Sequence, residues 1–390
     1  MKSNYRYIVK AFMAMAVIAG TTSCDDFLDR EPMSSISPET YYSTAAQLEA
    51  NLNDEYPNVL PSFGQWTYGI FGEDKGTDNQ IEVNANDRYT QDRWKVPHSE
   101  SDNWKFERIY RINFFLSEAL PKFGEDMSGS QNTISGSVAT IKHYIGEMYF
   151  LRAYEYFKKL QLFGDFPIIN QPLADEMEAL REASKRFPRN EVARFIISDL
   201  DKAYAYMSDV DMATTRINKD AAMLVKSRVA LFEATWLQNF KGTAFVPGGE
   251  GWPGASLHNN YQYPSGNLDN EVKYFLEQAV EASKLVADKY KGSLTENTGV
   301  LQQSADDPSN PYFDMFAQED LSDVKEVLLW RQYARGLSTH NINAAAGRGN
   351  YRIGLTRGFV QNFLMKDGTP VYAHGSYADG DGYYMGDKTV

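Results

Sequence analysis

Apolar residues spaced three and four apart, in stretches closed by helix-breaking residues, run through this chain from Ser43 to Val286. That periodicity restricts the fold more than any other feature, because a stripe of period 3.6 is one face of an α-helix and does not fit the alternation of a strand. Val138 to Phe163 is the clearest case. Ile141, Ile145, Met148 and Leu151 fall on one face, and Gly164 and Pro167 stop the helix. Arg152 lies on the same otherwise apolar segment, so it is expected to pair with a carboxylate, Asp165 or Asp199.

Five more helices follow from the same signals. Ser43-Thr44 can cap a helix carrying Leu48, Leu52 and Tyr56. Phe106, Ile109, Tyr110, Asn113, Leu116 and Leu120 mark another, ended by Pro121 and Gly124. Asn190 is the expected cap of a helix with Val192, Phe195, Ile196, Leu200, Ala203, Tyr204 and Met207 in its stripe. Asn218 caps a helix rich in Ala221, Ala222, Ala230 and Ala234, small residues that let a neighbour approach. A last helix carries Val272, Phe275, Leu276, Ala279, Val280 and Val286. Between the last two lies Phe240 to Asp269, rich in Gly, Pro and aromatics and without helical period. Val324 to Tyr333 (VKEVLLWRQY) reads as a buried strand. The predicted fold class is therefore mostly α. It consists of tetratricopeptide-like helical hairpins with long irregular loops and a few short strands toward the C-terminus, without the consensus of that repeat.

The N-terminus reads as an address. Lys2, Arg6 and Lys10 precede the apolar run Ala11 to Gly20, ten residues where a membrane span needs about 20. Thr21-Thr22-Ser23 leads into Cys24, the only cysteine of the chain, which cannot form an internal disulfide. Residues 1–23 are thus expected to be a lipoprotein signal peptide, Cys24 the acylated (palmitate-bearing) residue and 24–37 a polar tether. Residues 38–390 are expected to form a single domain, with a helical scaffold over about 38–295 and a mixed loop and strand region over about 296–390. Removing the signal takes the net charge from −13 to −16, since Lys2, Arg6 and Lys10 go and no acid does. No basic run remains to engage phosphates, which argues against a nucleic-acid partner.

Several segments resemble the SusD/RagB family of outer-membrane nutrient-binding lipoproteins. Asp26-Phe27-Leu28-Asp29 resembles the family's start after its cysteine, with Asp25 and Asp26 similar to a surface-export signal. Glu147 to Pro167 (EMYFLRAYEYFKKLQLFGDFP) resembles its most recognisable helix, Pro188 to Ala203 the next, and Arg216 to Leu231 the alanine-rich helix after it. Phe363 to Pro370 (FLMKDGTP) resembles a late element that in the family lies well before the C-terminus. Only 20 residues follow it here, so part of the family's C-terminal region is expected to be lacking. The resemblance implies a surface-exposed protein of the outer membrane. It would capture oligosaccharide or polysaccharide and pass it to a TonB-dependent, SusC-like transporter in polysaccharide utilisation. Peptide cargo, as in RagB-type proteins, and a surface glycosidase or other hydrolase are the alternatives.

Chemistry is sparse. The five histidines are scattered without metal-ligand spacing, and no nucleophile elbow or phosphate loop is present, so no catalytic residue, metal or cofactor is expected. Asp379-Gly380-Asp381-Gly382 lacks the closing acid of a calcium loop and reads as a solvated turn. Aromatics make up 14% of the chain, and those in loops are the remaining candidates, because sugar rings stack their C–H faces on flat side chains. Trp252, Tyr261 and Tyr263, with Asn260 among them, form one expected ligand-binding group in the long loop. Trp66, Tyr68, Asp78, Asn79 and Trp94 form a second on the polar early segment. Trp252 is expected to present a free ring whose loss leaves stability nearly unchanged.

Overall fold

The computed structural model describes residues 41–61, 74–81, 103–124, 126–207, 212–300, 304, 306–336, 338–340, 354–365, 367–370 and 373. Among the described residues six long helices build the scaffold: α1 (Ala45–Val59), α2 (Glu107–Phe123), α3 (Val138–Phe163), α5 (Arg189–Tyr206), α6 (Lys219–Asn239) and α7 (Leu268–Tyr290). The short helices α4 (Met177–Ala183), α8 (Pro311–Met315) and α9 (Arg357–Gln361) lie between or after them. The strands are minimal: β1 (Gln80–Ile81) pairs antiparallel with β2 (Gly354–Leu355). The mostly α architecture expected from the periodicity is the one observed.

Local chemistry sets most helix ends. Thr44 accepts the Gln47 amide and the Gln47 side chain accepts the Thr44 amide, a reciprocal capping box that starts α1. Asn218 and Asn267 cap α6 and α7 through the amides three residues on. Gly164 closes α3 with φ +68°, a left-handed backbone open to glycine at little steric cost. One expected cap is corrected. Helix α5 begins at Arg189 after Pro188, whose fixed φ suits a helix entrance, and Asn190 lies inside its first turn with its side chain buried.

Helix α3 is the axis of the fold. It buries residues all around its circumference, with α1 and α2 on one side and α5 on another; α5 then packs on α6, and α6 on α7. Gly146 lets α3 and α5 meet closely, since a Cβ there would sit 2.8 Å from the Met207 amide nitrogen and 3.0 Å from the Ala203 carbonyl. On α7 the covered row is Glu271, Phe275, Ala279, Ala282 and Val286, while Leu276 and Val280 face outward. The expected stripe therefore merged two apolar rows. Only the position of α6 decides between them.

Charged pairs tie the helices at these junctions. Arg152 of α3 holds Asp199 of α5 through two bonds of 2.7 and 2.9 Å, so Asp199, of the two expected candidates, is the partner. Its remaining donors reach Asn113 Oδ1 at 2.9 Å and the Asn170 carbonyl at 3.1 Å. Arg189 pairs with Glu233 of α6, Arg194 with Glu271 of α7, and Arg216 with Glu147 of α3. All four acids are fully buried. Such pairs contribute little net stability against burying the same volume of apolar side chain, yet breaking one strands a charge, so they favour one register of neighbouring helices.

The segment expected to be a buried strand, 324–333, forms none. It is irregular and clipped to the start of α6: the Trp330 amide donates to the Thr214 carbonyl at 3.1 Å, the Trp330 indole to Thr214 Oγ1 at 2.8 Å, and Asn218 to the Leu328 carbonyl at 2.6 Å. Apolar side chains here pack on helices, and no neighbouring strand is present among the described residues to satisfy a ladder. None of the described helices is long and apolar enough to cross a membrane.

Candidate functional site

The long loop between α6 and α7 folds back over the junction of α5, α6 and α7. Its start is held by Trp236, whose indole donates to the Phe245 carbonyl at 3.0 Å and whose ring lies 4.1 Å from the Arg189 guanidinium. Its middle contains a 3-10 turn, Pro253–Ser256, entered from Trp252. The Trp252 indole donates to Asp165 Oδ2 at 2.7 Å, and Asp165 Oδ1 accepts the Arg189 amide at 2.9 Å. Asp165 directly follows the glycine that ends α3, so the α3 terminator also presents the loop's anchor. Burial pushes the Asp165 carboxyl above the usual aspartate range, against the hydrogen bonds from Trp252 and the Arg189 amide.

This geometry corrects the expected role of Trp252. Its ring is 5% exposed and lies against Tyr261, with centroids 5.6 Å apart, so it is not open for stacking. A loop without helical period reads as surface, but here it covers helix ends and its indole N–H finds a buried acceptor. Tyr261 and Tyr263 are half-buried, their rings 5.1 Å apart in an edge contact. The Tyr261 hydroxyl exchanges hydrogen bonds with Asn190 at 2.9 and 3.1 Å, and Tyr263 donates to the Pro247 carbonyl. Asn259, Asn260 and Gln262 remain exposed beside them, Asn260 with a left-handed φ of 54°.

Glu271 joins this loop to the scaffold. It accepts Arg194 at 2.7 and 2.8 Å, Asn190 at 3.0 Å and the Ser265 amide at 3.1 Å. Burial pushes its carboxyl up, but Arg194, Asn190 and Ser265 together outweigh that and hold it below the usual glutamate value of 4.5. A depressed carboxylate stabilises the fold above its unfolded pKa and loses that contribution as pH falls through the folded value. The stability gap between the wild type and Glu271→Gln should therefore be full above pH 4.5 and narrow below it in urea titrations. A gap of constant size down to acid unfolding would rule out this role.

Of the second expected group, Trp66, Tyr68 and Trp94 lie outside the described residues, as does Cys24. Asp78 and Asn79 precede β1, and their carbonyls accept the hydroxyl and amide of Thr356, so they belong to the junction with the C-terminal segment.

Sequence reasoning missed a groove of about 900 Å³ between α1, α3, α6 and residues 326–332. Tyr56, Tyr154 and Trp330 contribute to its walls. At its edge Arg216 grips Glu147 at 2.9 and 2.7 Å, and the Tyr56 hydroxyl donates to the same carboxylate at 2.7 Å. These residues come from four separate stretches of chain, so no spacing signal in the sequence could have gathered them.

A family profile described as starch-binding, associating with the outer membrane, matches residues 26–231, more than half of the chain. The chain belongs to the SusD-like family. Two SusD-like proteins of Formosa agariphila, P25 and P2, are each 25% identical to it, over 233 and 253 residues. Those matches cover 55% and 62% of this chain but 41% and 46% of the relatives, so the chain spans under half of their length. A crystal structure of a SusD-like carbohydrate-binding protein from Bacteroides fragilis superposes with a TM-score of 0.53 at 15% identity, covering 87% of this chain and 57% of that one. At that identity the likeness is one of fold. The SusD-like region takes in four of the five stretches on which the resemblance rested, and Phe363 to Pro370 lies beyond it. Within those stretches Arg152, Gly164 and Asn218 serve the scaffold, as pair, terminator and cap.

Proposed function

We propose that this SusD-like chain captures oligosaccharide at the cell surface and delivers it to a TonB-dependent, SusC-like transporter without cutting it. The observation that carries the reading is the match of residues 26–231 to a family described as starch-binding and associated with the outer membrane. In the same reading residues 1–23 are a cleaved signal, Cys24 carries the lipid anchor, 24–37 form the tether and the remainder is one domain. Of the loop group nominated from the sequence, Asn260 is exposed with the half-buried Tyr261 and Tyr263 near it in the chain, and these three stay in the proposal as ligand contacts. The early aromatics Trp66, Tyr68 and Trp94, with Asp78 and Asn79, remain the second nominated group. The arginine-held acids Glu147, Asp199, Glu233 and Glu271 are committed to the scaffold, which fits a binding role better than acid–base catalysis.

The test is a glycan panel run with the purified chain and read two ways. Affinity electrophoresis should show retardation by at least one glycan, while reducing ends stay at the level of the protein-free control. Multiple turnover of any glycan would favour the hydrolase reading, and retention of peptides alone would favour RagB-type capture. On cells, labelling with palmitate should be lost in Cys24→Ala, and persistent labelling would remove the lipid anchor from the proposal.

A further inference from the structure

We propose that the groove between α1, α3, α6 and residues 326–332 is itself an oligosaccharide site, and that it takes a glycan bearing an acidic group, a uronate carboxylate or a sulfate. The proposal rests on the glycan-binding reading and specifies the ligand's chemistry. The groove has the volume of a small-molecule site, where pockets span roughly 300–1,000 Å³. Its walls are built for a ligand with flat apolar faces and many hydroxyls. Tyr154 and Trp330 are half-buried in the lining, so each ring keeps part of its surface open. Glu326 lines the same space, and its carboxylate Oε1 is buried without a hydrogen-bond partner among the described residues. A desolvated acceptor left unmatched is unfavourable, and a sugar hydroxyl would supply the missing donor.

Charge narrows the class of sugar. The chain carries 52 acids against 39 Lys and Arg, so a surplus of unpaired guanidinium is unexpected on its surface. In this groove Arg228 and Arg331 are both exposed, and among the described residues neither is paired with a carboxylate. Arg331 only flanks the Tyr333 ring, 5.6 Å away. The third arginine, Arg216, is committed to Glu147 and Glu49. Among the described residues, two guanidinium groups without a carboxylate partner thus line the groove beside one carboxylate, Glu326, in an otherwise acidic protein. Guanidinium binds carboxylate and sulfate through paired N–H donors. The wall that carries Glu326, Trp330 and Arg331 is fastened to α6 by the Thr214 and Asn218 hydrogen bonds, so part of the ordering cost of binding is met in advance.

The experiment uses the full chain and three probes in calorimetry: hexagalacturonate, a sulfated galactan hexamer and maltohexaose. At least one acidic probe should bind about tenfold or more tightly than maltohexaose, with affinity falling as salt is raised. Arg228→Gln and Arg331→Gln should each weaken that binding roughly tenfold while leaving the melting curve unchanged, because both side chains are exposed. The uronate and sulfate arms show which acid is read. Equal binding of all three probes, or acidic binding that survives the double variant, overturns the inference. Binding of maltohexaose alone, unaffected by both variants, leaves the glycan reading standing and removes only the acidic groove; a panel in which no glycan binds removes both.

Discussion

Arg152→Ala is expected to destabilise this protein by about 3–5 kcal/mol, the cost of removing the guanidinium from a buried carboxylate that keeps only the more distant, partly exposed Lys202 at 3.7 Å. Asp199 is fully buried and Arg152 is 3% exposed, so water cannot replace the lost guanidinium without opening the α3–α5 contact. The same substitution strands the buried Asn113 Oδ1 and removes a donor from the Asn170 carbonyl, both of which accept from Arg152 Nη1. Arg181→Ala is the control. Its bridge to Glu178 lies on the surface of α4, with both side chains more than two-thirds exposed, and such pairs contribute about 0–1 kcal/mol. Urea unfolding of both variants measures the contrast. Equal, small losses would mean that the α3–α5 pair does not form as described.

Trp252→Ala should also destabilise the fold, by about 3–5 kcal/mol for truncating a buried tryptophan. This reverses the expectation drawn from its place in an irregular loop. Trp252→Phe separates the two contributions: the ring volume is largely kept, but Asp165 loses its indole donor and retains the Arg189 amide. A buried acceptor deprived of one donor costs about 1–3 kcal/mol. Thermal melts with glycan titrations on the same variants check the assignment. A Trp252→Ala protein that melts like the wild type yet fails to bind glycan would restore the ring to the ligand surface.

The scaffold was legible because its signals are local. Thr44, Asn218, Gly164 and Pro167 act within one turn of their own positions, and a run such as Ile141, Ile145, Met148 and Leu151 marks its buried face by spacing alone. Asn190 misled for the opposite reason. Its residue type favours a cap, but the space around it is filled by Tyr261 and Glu271, which lie far along the chain and take its side chain inside the helix. The apolar run at Val327 to Trp330 fits a strand or any other buried segment, and its hydrogen bonds to Thr214 and Asn218, with no partner strand among the described residues, decided for an irregular clip on the start of α6.

By itself, then, the sequence determined most of the long helix ends, though not Asn190 as a cap or Pro121 as a stop, that the fold is mostly α, and which family the chain belongs to, since these depend on contacts within a few residues or on the residue order. The tertiary structure alone decided that Arg152 chooses Asp199 over Asp165, that Asp165 instead holds Trp252, and that Leu276 and Val280 face outward. It also gathered Tyr56, Tyr154, Arg228 and Glu326 around one groove. Each of these depends on which distant side chain arrives to desolvate, pair with or cover the residue. Burial and pairing are properties of the assembled neighbourhood, and a residue's identity does not carry them along the chain.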